Sequence, residues 1–168
     1  MSLSAFEQPA VEMKEKPIRV TVLTRKELDD VIYSKSTGDL KKRFRPSEEG
    51  GVFKYFYARD VWVNINRDLD KEIFFPVVKE GGKIVAIAKI QKSPYEENLF
   101  WANYICVDPK YQGRGHATRL VREILQFAKD HGVAIKNSFY TKEGELKMKK
   151  IWARLVPEYG VEFREDAI

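Results

Sequence analysis

Two hydrophobic patterns meet in the middle of the chain. Leu99 to Val107 (LFWANYICV) is almost continuously apolar, and Trp101, Tyr104, Ile105 and Val107 favour extended backbone. Asp108-Pro109 stops this run, because proline cannot continue a central ladder. From Gly115 onward the period changes. Ala117, Leu120, Val121, Ile124, Leu125 and Ala128 recur at three and four, which makes one apolar face of a helix. Arg119, Arg122, Glu123, Gln126 and Lys129 take the other face, and His131-Gly132 supplies the left-handed stop expected just past a helix. The pattern predicts a buried strand, a tight loop and a two-faced helix.

The flanking elements follow from the same signals. Ile18 to Leu23 alternates and is β-branched, a first strand. Thr24 with Glu27 three places on is a capping box, opening a helix that turns Leu28, Val31 and Ile32 inward. Residues 38 to 71 carry a basic stretch from Asp39 to Pro46, a turn from Glu48 to Gly51, and the aromatic-rich Val52 to Ile65, read as a second helix or an irregular cover. Glu72–Val78 and Lys83–Lys89 read as strands joined by a hairpin at Glu80-Gly81-Gly82, and Ser93 to Asn98 is a further turn. Short links make these strands and Leu99–Val107 an antiparallel meander. Val133 to Tyr140 returns after the helix, parallel to Leu99–Val107 by the right-handed crossover rule. A last helix spans Lys142 to Val156, with Met148, Ile151, Trp152 and Leu155 on one side, and Pro157 ends it. Gly160 to Arg164 is a short final strand. The predicted class is α/β (α+β).

Length and composition narrow this picture. A chain of 168 residues suits one domain, assigned to 17–168 behind a loose arm at 1–16. No apolar run reaches the ~20 residues of a membrane helix, and the N-terminus lacks a basic-then-apolar signal pattern. The single cysteine, Cys106, excludes an internal disulfide framework and fits a reducing, cytoplasmic setting, as a buried structural thiol. The net charge of +5 favours polyanionic partners without choosing among them.

The chemistry lies in the loop Gln112-Gly113-Arg114-Gly115-His116-Ala117. Its glycines let backbone approach a ligand and turn N–H groups inward. The helix that follows begins with unpaired N–H groups and the positive end of its dipole. Together these suit a phosphate or pyrophosphate. The alternative is a glycine-containing turn that only joins strand to helix.

The stretch resembles motif A of the GCN5-related N-acetyltransferases (GNAT), whose loop reads Gln/Arg-x-x-Gly-x-Gly/Ala. Gln112, Gly115 and Ala117 occupy its fixed places, and Val107-Asp108-Pro109-x-Tyr111 is the family's usual approach to it. The close match covers about a fifth of the chain. The resemblance implies a mixed, mostly antiparallel sheet, with a central parallel strand pair splayed around coenzyme and helices on both faces. It implies acetyl-coenzyme A as cosubstrate, no metal, and transfer of acetyl to a primary amine on a small molecule, peptide or protein. Gln112, Gly113, Arg114, Gly115, His116 and Ala117 would then bind the pyrophosphate, chiefly by backbone N–H, with the Thr118 hydroxyl as an extra donor and Arg114 adding charge at the rim. Backbone near Cys106 and Val107 would bond the pantetheine arm, and Asn137 would sit near it, unless it only caps its strand.

Two places depart from the family. Some members carry a glutamate base about six places before the valine of Val-Asp-Pro; Trp101 stands there, and Asn103 on the same face cannot take a proton. Glu72, Glu96 and Glu97 are unranked substitutes. Many members carry a tyrosine acid on the last helix, where Trp152 stands, better read as core. Tyr140 is therefore the candidate acid, with Tyr104 second. These departures leave open a catalytically inactive coenzyme-binding interaction protein. A nucleic-acid module using Lys41 to Arg45 with Tyr55, Phe56 and Tyr57 is disfavoured, because no motif supports it. No G-x-x-x-x-G-K-[ST] or G-x-S-x-G motif occurs, and His116 and His131 lack partners at zinc spacing. The expected assembly is a monomer or homodimer, with no membrane contact.

Overall fold

In the computed structural model, the described residues are 18–28, 72–137 and 144–165. The expectations for the 1–16 arm, Val31, Ile32, Lys41 to Arg45, Val52 to Ile65 and Tyr140 fall outside them. Among the described residues six strands pair in sequence order: β1 (Val20–Thr24), β2 (Ile73–Glu80), β3 (Lys83–Lys92), β4 (Leu99–Val107), β5 (Ala134–Asn137) and β6 (Phe163–Arg164). β1 to β4 pair antiparallel, and β4, β5 and β6 pair parallel. The turn between β2 and β3 works because Gly81 and Gly82 both adopt positive φ, 54° and 76°, the twist a tight hairpin demands.

Two helices follow the loop and the crossover: α1 (His116–His131) and α2 (Glu145–Tyr159). The apolar face of α1 lands as its spacing requires, with Leu120, Val121, Ile124, Leu125 and Ala128 fully buried. They share one core with Val78, Ala86, Ala88, Ile90, Phe100, Ala102 and Ile135 of the sheet and Trp152 and Leu155 of α2. Phe74, Phe100 and Phe127 close its edge, with ring centroids 5.1 to 6.4 Å apart. Trp152 is wholly buried and stacks on Phe163 at 4.7 Å, the packing role its place on the helix predicts. The capping box is present: Glu27 accepts from the Thr24 N–H at 2.7 Å, and Thr24 Oγ1 accepts from the Glu27 N–H at 3.3 Å. Residues 25–28 make the opening turn of that helix, and Leu28 is buried.

Several boundaries differ from the sequence reading. β2 and β3 extend to Glu80 and Lys92, and β6 is only Phe163–Arg164. β5 starts at Ala134 and is followed to Asn137, and the expected strand residues 138–140 lie outside the described ones. The larger difference is at Pro157, which does not end the last helix. α2 runs through it to Tyr159, and Gly160 at φ 63° closes it by donating to the Val156 carbonyl. Proline there gives up its bond to the i−4 carbonyl and crowds that carbonyl. The turn is carried through it by the buried Trp152 and Leu155 before it and by the left-handed close at Gly160. In urea unfolding, Gly160→Ala is expected to lose about 1 kcal/mol, because alanine resists the left-handed region. Pro157→Ala is expected to be neutral or stabilising.

Candidate functional site

β4 delivers the chain to the loop through a fixed turn. The Asp108 N–H donates to Val85 O at 2.9 Å, extending the pairing with β3 by one residue. A single 3-10 turn, Pro109–Tyr111, follows, with Asp108 Oδ1 accepting from the Lys110 N–H at 3.0 Å. The Gln112 amide reaches back to the Val107 carbonyl at 3.4 Å, which ties the loop to the end of the strand. Gly113 and Gly115 then take φ of 79° and 78°. A Cβ on Gly115 would meet only Arg119 Nη1 at 3.7 Å, so backbone conformation, not space, demands glycine there.

Gly115 is the N-cap of α1 and no side chain caps the helix. The first helical bond runs from the Arg119 N–H to Gly115 O at 3.1 Å, so the N–H groups of His116, Ala117 and Thr118 precede the ladder. The loop backbone and the helix dipole together form a donor surface for an anion. Of the loop residues predicted to bind, Gln112 to Gly115 are exposed, and Ala117 and Thr118 are half-buried. The His116 side chain is instead 1% exposed, turned into the protein.

The His116 ring belongs to a charged network that the sequence did not reveal. Its partner is Glu80, the last residue of β2. Glu80 Oε1 lies 2.9 Å from His116 Nε2, off the line of the ring N–H, and Oε2 lies 3.1 Å from Arg114 Nη1. Arg114 also stacks over the Tyr111 ring at 4.9 Å. On the other side of the loop, one Arg119 nitrogen donates to the Arg114 carbonyl at 2.7 Å and stands 3.2 Å from His116 Nδ1. Burial holds the His116 imidazole below its ordinary range; Glu80 opposes this, and Arg119 and Arg114 reinforce it.

The C-terminal half of β4 leads into the loop, and among the described residues its pairing with β5 reaches Ala102 with Asn137. Against β3, Ala88 pairs with Ile105 and Lys89 with Asn103, so Tyr104 is the extra residue of a bulge. Asn137 is buried on the helix-covered face at that last pair. Cys106 and Val107 are half-buried, and burial pushes the Cys106 thiol up to about 11. On the face away from α1, alternation and pairing place Lys89 and Gln91 beside Asn103 and Trp101. Lys89 is 2% exposed, a buried cation that the sequence reading passed over although it interrupts an apolar strand. The Trp101 indole N–H is buried with no acceptor among the described residues.

A cavity of about 640 Å³ lies at the opposite ends of β4 and β5, where both helices terminate. Arg164 in its wall is held by Glu96 at 2.7 Å and by Glu162 at 2.7 Å. Among the described residues no group of His, Cys, Asp or Glu is arranged to hold a metal ion, and no helix is long and apolar enough to cross a membrane.

Residues 39–154 match the model of the acetyltransferase (GNAT) family. No curated protein matches the sequence. Among solved structures, an aminoglycoside acetyltransferase from an uncultured soil metagenomic sample, solved with trehalose, shares 19% identity over 79% of this chain and 85% of its own, with a TM-score of 0.54. The ribosomal-protein-S18-alanine N-acetyltransferase of Escherichia coli shares 17% over 82% and 76%, with a TM-score of 0.50. The PaiA N-acetyltransferase of Thermoplasma acidophilum, solved with coenzyme A, shares 13% over 83% and 89%, also at 0.50. At these identities the likeness is one of fold.

The position of Cys106 yields a direct check. With its thiol near 11, about one molecule in a thousand is thiolate at pH 8, against roughly a quarter for an ordinary thiol of pKa ~8.5. Reaction of the native protein with a chromogenic disulfide reagent at pH 8 is expected to be at least a hundredfold slower than after unfolding.

Proposed function

The chain belongs to the GNAT family of acetyltransferases, whose model it matches over 39–154, and on that premise we propose that it transfers an acetyl group from acetyl-coenzyme A to a primary amine. The observation that carries this reading is the pair of left-handed glycines that opens α1, without a side-chain cap at its N-cap Gly115, one short turn after β4. Acetyl-coenzyme A supplies the acetyl group as an activated thioester. The N–H groups of Gly113 to Ala117, with the Thr118 hydroxyl, bind its pyrophosphate. Gln112 holds that loop to the strand end, and Arg114 adds positive charge at the rim. Backbone at Cys106 and Val107, at the end of β4, lines the pantetheine arm, with Asn137 near its start. Residues 17–168 form the domain that does this.

The acceptor amine must lose a proton, since a lysine-like amine has a pKa of roughly 10.4. Trp101 and Trp152 leave two places of the family pattern without a titrating group, and Tyr140 is the proposed acid that protonates the leaving sulfur. Two similar folds carry names with different acceptors, a ribosomal-protein alanine and an aminoglycoside. Small molecule and protein amines both stay within the proposal. The same tryptophans favour a second reading, a coenzyme-binding protein without turnover.

Gly115→Val is the test of the loop. Its branched side chain disfavours the observed φ of 78° by about 1–2 kcal/mol. Calorimetry is expected to show coenzyme A affinity reduced about tenfold or more in a protein of unchanged fold, and an unchanged affinity contradicts the loop assignment. Turnover over an amine panel separates enzyme from binder. In an active protein Tyr140→Phe is expected to lower the rate by roughly a hundredfold with little change in coenzyme affinity.

A further inference from the structure

His116 is a buried titratable group that the proposed chemistry leaves unused, and its surroundings fix its protonation. Arg119 offers only N–H donors, so Nδ1, 3.2 Å from its guanidinium, must carry the lone pair. Ionised Glu80 offers only acceptors, so the proton belongs on Nε2, 2.9 Å from the carboxylate. Arg119 spends the same nitrogen on the Arg114 carbonyl at 2.7 Å. Glu80 then returns to Arg114 through its other oxygen at 3.1 Å. The four residues close a ring, one of whose links is the Arg114 backbone carbonyl, and the charged groups facing the imidazole are Glu80 on β2, Arg114 in the loop and Arg119 on α1.

We propose that His116 is the positioning residue of the coenzyme-phosphate loop: neutral and protonated on Nε2, it holds Arg119 on the Arg114 carbonyl and so keeps the N–H groups of 113–117 directed at the ligand. This rests on the reading of that loop as the coenzyme A phosphate site. A solvent proton added to the Nδ1 lone pair sets N–H against N–H, and Arg119 must release the ring and with it the loop carbonyl. No covalent bond breaks. Coenzyme affinity therefore falls as His116 becomes charged. A plain charge effect has the opposite sign, since a new cation beside an anion site tightens binding.

The test is calorimetric binding of coenzyme A to wild type, His116→Leu and His116→Asn. Leucine removes the acceptor; asparagine offers an amide oxygen near the place of Nδ1. At pH 7.5 His116→Leu is expected to bind about tenfold more weakly, the scale of one hydrogen bond to a charged group, and His116→Asn to recover most of the loss. The second arm takes the wild-type to His116→Asn affinity ratio from pH 7.5 to the acid limit of the fold, which cancels titration of the ligand's own phosphates. The His116 ring signal in NMR marks where the imidazole charges. The ratio is expected to shift about fivefold or more against wild type across that point. A ratio that is flat or moves in favour of wild type overturns the proposal, as does a folded His116→Leu protein that binds normally. An imidazole that never charges before the protein unfolds also overturns it. If wild type fails to bind coenzyme A at any pH, the loop reading itself has failed, which is a separate outcome.

Discussion

The N–H groups that open α1 have no carbonyl to meet, and the rest of the site is arranged around that fact. A helix start exposes several donors and the positive end of a dipole, which is costly if buried and useful if aimed at an anion. Here Gly113 and Gly115, both left-handed, turn the loop so that no side chain caps those donors. The orientation holds because α1 is pinned along its length, with Leu120, Val121, Ile124, Leu125 and Ala128 fully buried against the sheet.

The sheet contributes the strand that carries the chain into the loop. Parallel pairing of β4 with β5 is described only as far as Ala102 and Asn137, and the bulge at Tyr104 follows almost at once. A bulge adds twist and re-aims the backbone beyond it. The strand end that leads to the loop keeps its antiparallel partner β3 as far as Val107. Asp108, still bonded to Val85, carries that alignment into the turn. Strand, bulge, turn and helix therefore form one continuous wall.

What was legible in the sequence was local. The capping box at Thr24 and Glu27, the hairpin at Gly81-Gly82, β4 from Leu99 to Val107 and the helix stop at Gly132 all depend on residues a few positions apart. Pro157 is a local break that the packing of α2 overrides, and the true stop is the left-handed Gly160. The contacts of Glu80 were illegible for the opposite reason. Its bond to Arg114 spans 34 positions and links two turns that only the sheet and α1 bring together. His116 likewise fell within the motif for its backbone, while its buried ring serves a network that no spacing rule announces. Lys89 was a visible break in an apolar strand, and only cross-strand pairing with Asn103 shows which face it takes.

Amide resonances read the central assignment most directly. When coenzyme A is added to nitrogen-15-labelled protein, the largest shift changes are expected at the N–H groups of Gly113 to Thr118, with a second set at Cys106 and Val107. Changes concentrated instead around Lys129, Gly132 and Glu162, at the far cavity, with the loop signals unmoved, would contradict the placement of the coenzyme at the start of α1.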